Sequence, residues 1–203
     1  YTAPVIVMLL SLLLFRERLT ASKCASAILS FLGCALVAGV NPQTGLSITP
    51  MGLLTGLGSG LGYALYSIFG RYALNFGYDT LTITFYTFAF SSAGSIFLID
   101  ITKLTIKIVC QPESIPWILA LGLITCVAAY LLYTYGLTVI ESSKASIMAS
   151  IEPVVATLIG VLIFHESLTL WSGIGVCLVL FSLILLDAKG IFKKITVSSQ
   201  NRR

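Results

Sequence analysis

EPVVATLIGVLIFHESLT, residues 152–169, restates without a gap the stretch APVIVMLLSLLLFRERLT at residues 3–20, a constant 149 residues earlier. The copies share Pro4 with Pro153, Phe15 with Phe164, Glu17 with Glu166, Leu19 with Leu168 and Thr20 with Thr169. Apolar segments align easily by chance, but a proline, a glutamate and a threonine in one register do not. The chain therefore contains an internal repeat, which has to be recognised before any fold is assigned.

Working outward, the 203 residues have a mean hydropathy of +1.00, with 57% hydrophobic and only 10% charged residues, against roughly 25% charged in soluble domains. Apolar runs occupy residues 1–15, where the run is short, and then 23–41, 50–70, 80–99, 115–137, 143–164 and 168–187. Runs near twenty residues without strict alternation predict membrane-crossing helices, since a barrel strand needs only about ten alternating residues. The fold class is an all-α integral membrane protein, a polytopic helix bundle. No stretch is left for a soluble catalytic or nucleic-acid-binding domain.

Charge gives the orientation. Arg16, Arg18, Lys23, Arg71, Lys144, Lys189, Lys193, Lys194, Arg202 and Arg203 fall in alternate loops or the C-terminal tail, whereas the other loops hold Lys103 and Lys107. The positive-inside rule then places the C-terminus and the RERLTASK loop in the cytoplasm, in a plasma (cell inner) membrane, with the HESLT loop outside. Five helix positions separate the two copies, an odd number, so matching helices run in opposite directions. Inverted repeats of this kind characterise secondary transporters, whose sites lie near the midplane at the repeat interface.

Residues 1–41 then read as the last two helices of a first repeat, 42–49 as an external linker, 50–187 as a second repeat of five helices, and 188–203 as a basic cytoplasmic tail. The tail is a solvated flank. By the repeat offset, about 100 further residues and three helices are expected ahead of Tyr1, so that these seven helices belong to an expected ten. Tyr1–Phe15 has neither initiator Met nor basic n-region and does not read as a signal peptide. Cys24, Cys34, Cys110, Cys126 and Cys177 lack CxxC spacing, so neither a disulfide nor a metal site is expected.

The motifs YTAPVIVMLLSLLLFRERLT and YGLTVIESSKASIMASIEPVVATLIGVLIFHESLT resemble the drug/metabolite transporter superfamily, in particular EamA-type transporters, which are built as two inverted five-helix repeats. The resemblance covers essentially the whole chain, and the style of its second repeat is bacterial. It implies a carrier, often an exporter, of amino acids, other metabolites or drugs.

Several residues are candidates for transport. Glu152 is the acidic residue near the middle of a predicted span, where a charge is costly. It shares a helical stripe with Ser142, Ala145, Ala149, Ala156 and Gly160 and is expected to face the bundle interior. Pro153 next to it, and Pro4 at the matching position, each remove a mid-helix hydrogen bond and free a carbonyl one turn earlier. The structural alternative is a simple kink with Glu152 bonding a neighbouring helix. Gly56, Gly60, Tyr63 and Ser67 form one stripe; the glycines serve close packing, and Tyr63 and Ser67 are candidates for a cavity wall. Thr84, Thr87, Ser91 and Ser95 on the next helix, and Tyr130 with Tyr133 on the one after, add polar faces. Glu17 and Glu166 read as turn-forming, with Thr20 and Thr169 capping the following helices. His165, the single histidine, reads as a surface side chain.

The reading is a secondary transporter working by alternating access, not an enzyme, and using no cofactor or metal. Its partners are a small-molecule substrate and the lipid bilayer, with no nucleic acid; coupling to protons and homodimerisation stay open. The alternative is a non-transporting membrane scaffold or helper of the same fold.

Overall fold

The computed structural model describes residues 1–39 and 49–200, with 188–200 described as backbone alone. The expected linker, apart from Thr49, and the side chains of the basic tail therefore lie outside the described residues. The chain forms two compact units, Tyr1–Ile68 with Glu141–Arg203, and Phe69–Ile140.

The first unit contains α1 (Ala3–Phe15), α2 (Ala21–Val37), most of α3 (Pro50–Asn75), α8 (Ser142–Ala149), α9 (Glu152–Ile163) and α10 (Leu170–Gln200). The repeat seen in the letters is a repeat of geometry. α1 and α9 begin 149 residues apart, as do α2 and α10. Both first helices end on a left-handed residue, Arg16 with φ 53° and His165 with φ 54°. In both corners the next amide closes the turn, Glu17 N–H onto the Ser11 carbonyl at 3.3 Å and Glu166 N–H onto the Gly160 carbonyl at 3.1 Å. Such a wrapped C-terminus satisfies carbonyls that a helix end leaves open. Thr20 then accepts from Lys23 N–H at 3.3 Å, and Thr169 from Ser172 N–H at 3.1 Å. The shared threonines thus cap the following helices, as expected.

α2 and α10 cross in close contact. The Ser22 hydroxyl donates to the Leu185 carbonyl, while Gly33 meets Gly175. One number rises as the other falls, so the two related helices are antiparallel, as inverted copies require. A Cβ on Gly175 would sit 2.6 Å from the Gly33 carbonyl oxygen, and one on Gly33 would sit 2.8 Å from that of Gly175. Lipid gives helices little hydrophobic reason to associate, so backbone approach through small residues takes over that role. Around this seam Met8, Ala27 and Ile147 form one buried cluster against Cys24, Leu183 and Leu186, and Cys34, Val154 and Val179 form another against Val176.

The second unit holds the end of α3, then α4 (Thr80–Ser95), α5 (Ile101–Cys110), a 3-10 turn (Pro112–Ser114), α6 (Ile115–Ala120), a π-helical stretch (Leu121–Ala128) and α7 (Ala129–Val139). Asp79 and Asp100 cap α4 and α5 by accepting from Thr82 N–H at 3.0 Å and Lys103 N–H at 3.2 Å. Arg71 donates to the carbonyls of Leu137 and Ile140 and so closes the C-terminus of α7. Three expectations are corrected in this unit. α4 stops at Ser95 rather than at 99; α5 fills what read as a loop; and the span from 115 contains a π stretch, within which Thr125 donates to the Leu121 carbonyl at 2.6 Å and competes for that acceptor.

Among the described residues, Pro112–Val139, Ser142–Ile163 and Leu170–Asp187 are long and apolar enough to cross a bilayer alone, and Ala3–Phe15 and Ala21–Val37 are shorter apolar helices. The second expected span, 23–41, is Ala21–Val37 in the structure. The chain is an all-helical integral membrane protein.

Candidate functional site

The span from 142 to 163 is broken rather than bent. α8 ends at Ala149; Ser150 and Ile151 donate only three residues back, to Ile147 at 3.1 Å and Met148 at 3.2 Å. α9 restarts at Glu152 with Pro153 in its first turn, where a missing N–H costs nothing. Here the sequence reading of a mid-helix Pro153 is corrected, since Pro153 lies in the first turn of α9 after a break; Pro4 holds the matching place in the first described turn of α1. The bonds around them match across the repeat. Val5 and Ile6 donate to the Thr2 carbonyl at 3.1 and 3.2 Å, and Val154 and Val155 donate to the Ile151 carbonyl at 3.0 and 3.1 Å.

A cleft of about 330 Å³ lies where the two helix starts and the end of α8 meet α3. Tyr1, Ala3 and Pro4 line it from α1 and its approach, Gly56, Ser59, Gly60 and Tyr63 from α3, and Ser146, Ala149, Ser150 and Glu152 from the broken span. Its wall offers one carboxylate, two phenols and three serine hydroxyls, with no Lys, Arg or His among the lining residues. Gly60 lets α3 approach α1, because a Cβ there would collide with the Thr2 hydroxyl. Close packing was thus the right reading of this glycine. Glu152, expected to face the interior, is exposed on the open wall of the cleft. As the first residue of α9 it also complements the positive end of that helix.

Of the nominated residues the cleft assembles Glu152, Pro4 and Tyr63. Pro153 is buried beside it. Ser67 is buried further along α3, donating to the Tyr63 carbonyl at 3.2 Å, and does not line the cleft. Thr87, Ser91, Tyr130 and Tyr133 belong to the second unit. There Thr87 bonds back to the Ile83 carbonyl at 2.8 Å, Ser91 is exposed, and Tyr130 meets Phe88 edge-on with ring centroids 5.2 Å apart. Ser59, Ser146 and Ser150 were not foreseen as lining residues, although Ser142, Ser146 and Ser150 recur every four residues and so share a helix face.

Glu17 does more than form its turn. Its carboxylate accepts from Ser142 N–H at 3.0 Å, from Ser143 N–H at 3.3 Å and from the Ser143 hydroxyl, capping α8. Beside it the buried Lys23 ammonium pairs with Glu141 at 2.5 Å and donates to the Arg18 carbonyl at 3.2 Å. A second cavity of about 820 Å³ between α9 and α10 is almost wholly aliphatic and lacks charged lining. In the second unit Arg71, Asp79 and Tyr78 edge a cavity of about 440 Å³. Among the described residues no three His, Cys, Asp or Glu side chains cluster as metal ligands would.

Residues 50–186 match the model of the EamA-like transporter family. An uncharacterized transporter of Archaeoglobus fulgidus is 29% identical over 91% of this chain and 63% of its own length. Uncharacterized transporter YwfM of Bacillus subtilis is 26% identical over 92% of this chain and 62% of its own. An uncharacterized transporter of Helicobacter pylori is 30% identical over 95% and 64%. The chain spans less than two thirds of the length of these relatives. No solved structure matches.

Proposed function

We propose, on the premise that this chain belongs to the EamA-like transporter family, that it forms part of a secondary carrier exporting small amine-bearing metabolites, amino acids or drugs by alternating access. The observation that supports this reading is the cleft where the broken span, Tyr1–Pro4 and α3 converge around Glu152. Interrupted helices are the arrangement that transporters use for midplane sites. A single carboxylate with hydroxyl and aromatic neighbours suits an ammonium group or a coupling proton, and it repels anions. The volume of about 330 Å³ equals the share of roughly ten waters, which is the size of an amino acid.

In this reading residues 1–41 end a first repeat and 50–187 form the second, with the C-terminus and the RERLTASK corner in the cytoplasm of the plasma membrane. The substrate, in this reading, crosses unaltered. Pro4 and Pro153 hold the helix starts, Glu152 takes the cation or proton, and Tyr63 supplies the aromatic wall. Ser67, Thr87, Ser91, Tyr130 and Tyr133 are left without a part in this cleft.

The test is flux in proteoliposomes of the whole protein, for a panel of amino acids and amine drugs, with and without a pH gradient. Glu152→Gln is expected to reduce flux of a transported amine at least tenfold while the protein still folds. Flux unchanged in Glu152→Gln would remove Glu152 from the site. Absence of any flux in well-folded wild type would favour the scaffold.

A further inference from the structure

Glu17 is not among the residues that line the cleft, yet its carboxylate accepts three hydrogen bonds from a helix 125 residues away in sequence. These bonds take up two of the four amides that a helix start leaves open, and bonds to an ionised acceptor are about twice as strong as neutral ones. The Lys23–Glu141 pair spans the same joint between the α1–α2 corner and the start of α8. On the three helices that meet at this joint, Val7 and Ser11 of α1, Ala27 of α2, and Ser142 and Ile147 of α8 are fully buried.

The α9–α10 corner makes the same turn-closing and capping bonds as the α1–α2 corner. Beyond those bonds the Glu17 carboxylate reaches out of its own corner and holds α8.

We propose that Glu17 is the latch of a gate, a positioning residue whose grip on the Ser142–Ser143 start of α8 keeps the cleft closed on the RERLTASK side, and whose release opens that side during transport. This rests on the carrier reading above, and its test is chosen to be independent of flux. The second strand of the latch is Lys23, which ties Glu141, the residue just before α8, to the same corner.

The experiment replaces the native cysteines, introduces Ala149→Cys on the cleft wall, and measures the rate of labelling by a small membrane-impermeant thiol reagent applied to one face at a time. With Glu17 intact, labelling from the RERLTASK side is expected to be slow. Glu17→Ala should raise that rate at least tenfold, and Glu17→Gln, which keeps one oxygen acceptor, by less. Thr20→Ala removes the cap on the Lys23 amide but leaves the side-chain bonds of Glu17 and Lys23 in place, and should leave the rate within twofold. An unchanged rate in Glu17→Ala, or an equal rise in Thr20→Ala, overturns the latch. If Glu17→Ala does not fold, Glu17→Gln and Lys23→Gln give the same reading, and no rise in either overturns it. A protein that moves no substrate but changes labelling as stated keeps the latch and drops the carrier. One that carries substrate with unaltered labelling drops the latch alone.

Discussion

Adding one methyl group at the α2–α10 crossing should separate the two helices that the repeat relates. In Gly175→Ala the new Cβ lies 2.6 Å from the Gly33 carbonyl oxygen and 2.9 Å from both Val37 Cγ2 and Val37 N. Two of these three atoms are backbone and cannot rotate away. Restoring ordinary contact near 3.4 Å requires the helices to part by about 0.8 Å, which forfeits a quarter to a half of each van der Waals well along the seam. Overpacking of this kind costs about 3 kcal/mol at the upper end, and the better helix propensity of Ala returns about 1 kcal/mol. The net loss is about 2 kcal/mol, or roughly 4–8 °C in Tm for a chain of this size. Thermal unfolding in detergent, followed by circular dichroism, reads it directly. Gly33→Ala faces the mirror collision, with Val179 Cγ2 at 2.7 Å and the Gly175 oxygen at 2.8 Å, so its loss should be similar. Because one separation relieves both, the double variant should lose less than the sum, by about 1 kcal/mol or more. Gly58, with nothing within 4 Å, is the control, and Gly58→Ala should be neutral or gain up to about 1 kcal/mol. A Gly175→Ala protein as stable as wild type, or a strictly additive double variant, would refute the reasoning.

Two further predictions concern the corners and the second unit. Arg16 and His165 adopt φ of 53° and 54°, a conformation that costs an L-residue roughly 1–2 kcal/mol; Arg16→Gly and His165→Gly should therefore each raise Tm by a few degrees, and a fall in either would contradict the assigned turn. In the second unit, hydrogen bonds from the Thr82 side chain and amide hold the Asp79 carboxyl below the usual carboxylate range. A lowered folded-state pKa means that the α4 cap is fully present above the ordinary Asp value and is lost as pH falls through the depressed one. The protection of the Thr82 amide, its exchange rate taken against the intrinsic rate at each pH, should accordingly fall only at acid pH, and Asp79→Asn should abolish that fall; protection that stays constant through the acid range in the wild type would refute the assignment.

Much of the fold could be read from the letters because polar and special residues sit at its corners. Glu17 and Thr20, each matched 149 residues later, mark a turn and a cap, and both marks recur in the structure. The position of the break was less legible. A proline within an apolar run is consistent with a kink or a restart, and only the three-residue-back bonds of Ser150 and Ile151 decide for a restart. The polar stripe at Thr87 and Ser91 is ambiguous in sequence because a threonine on a helix can satisfy itself on its own backbone, as Thr87 does with Ile83. α5 was missed because ITKLTIKIVC is rich in β-branched residues, which weakly disfavour helix; the Asp100 cap outweighs that preference. The role of Glu17 had no local signal at all, since its partners lie on a different helix and a carboxylate near a loop is unremarkable in sequence.

The α2–α10 seam also bears on how such a chain can be assembled. Applying the offset to Gly33 and Gly175 gives Ser182 and Ser26, both of them small and wholly buried. Each helix thus presents two small residues to a seam that nearly maps onto itself when the helices are exchanged, the isologous property of a twofold homodimer. One self-matching helix face is enough to specify the seam, so a single unfused copy inserted in both orientations would hold the instructions for pairing. A chain that carries both copies is free to vary each face separately, and here the glycines stand at one end of the seam and the serines at the other.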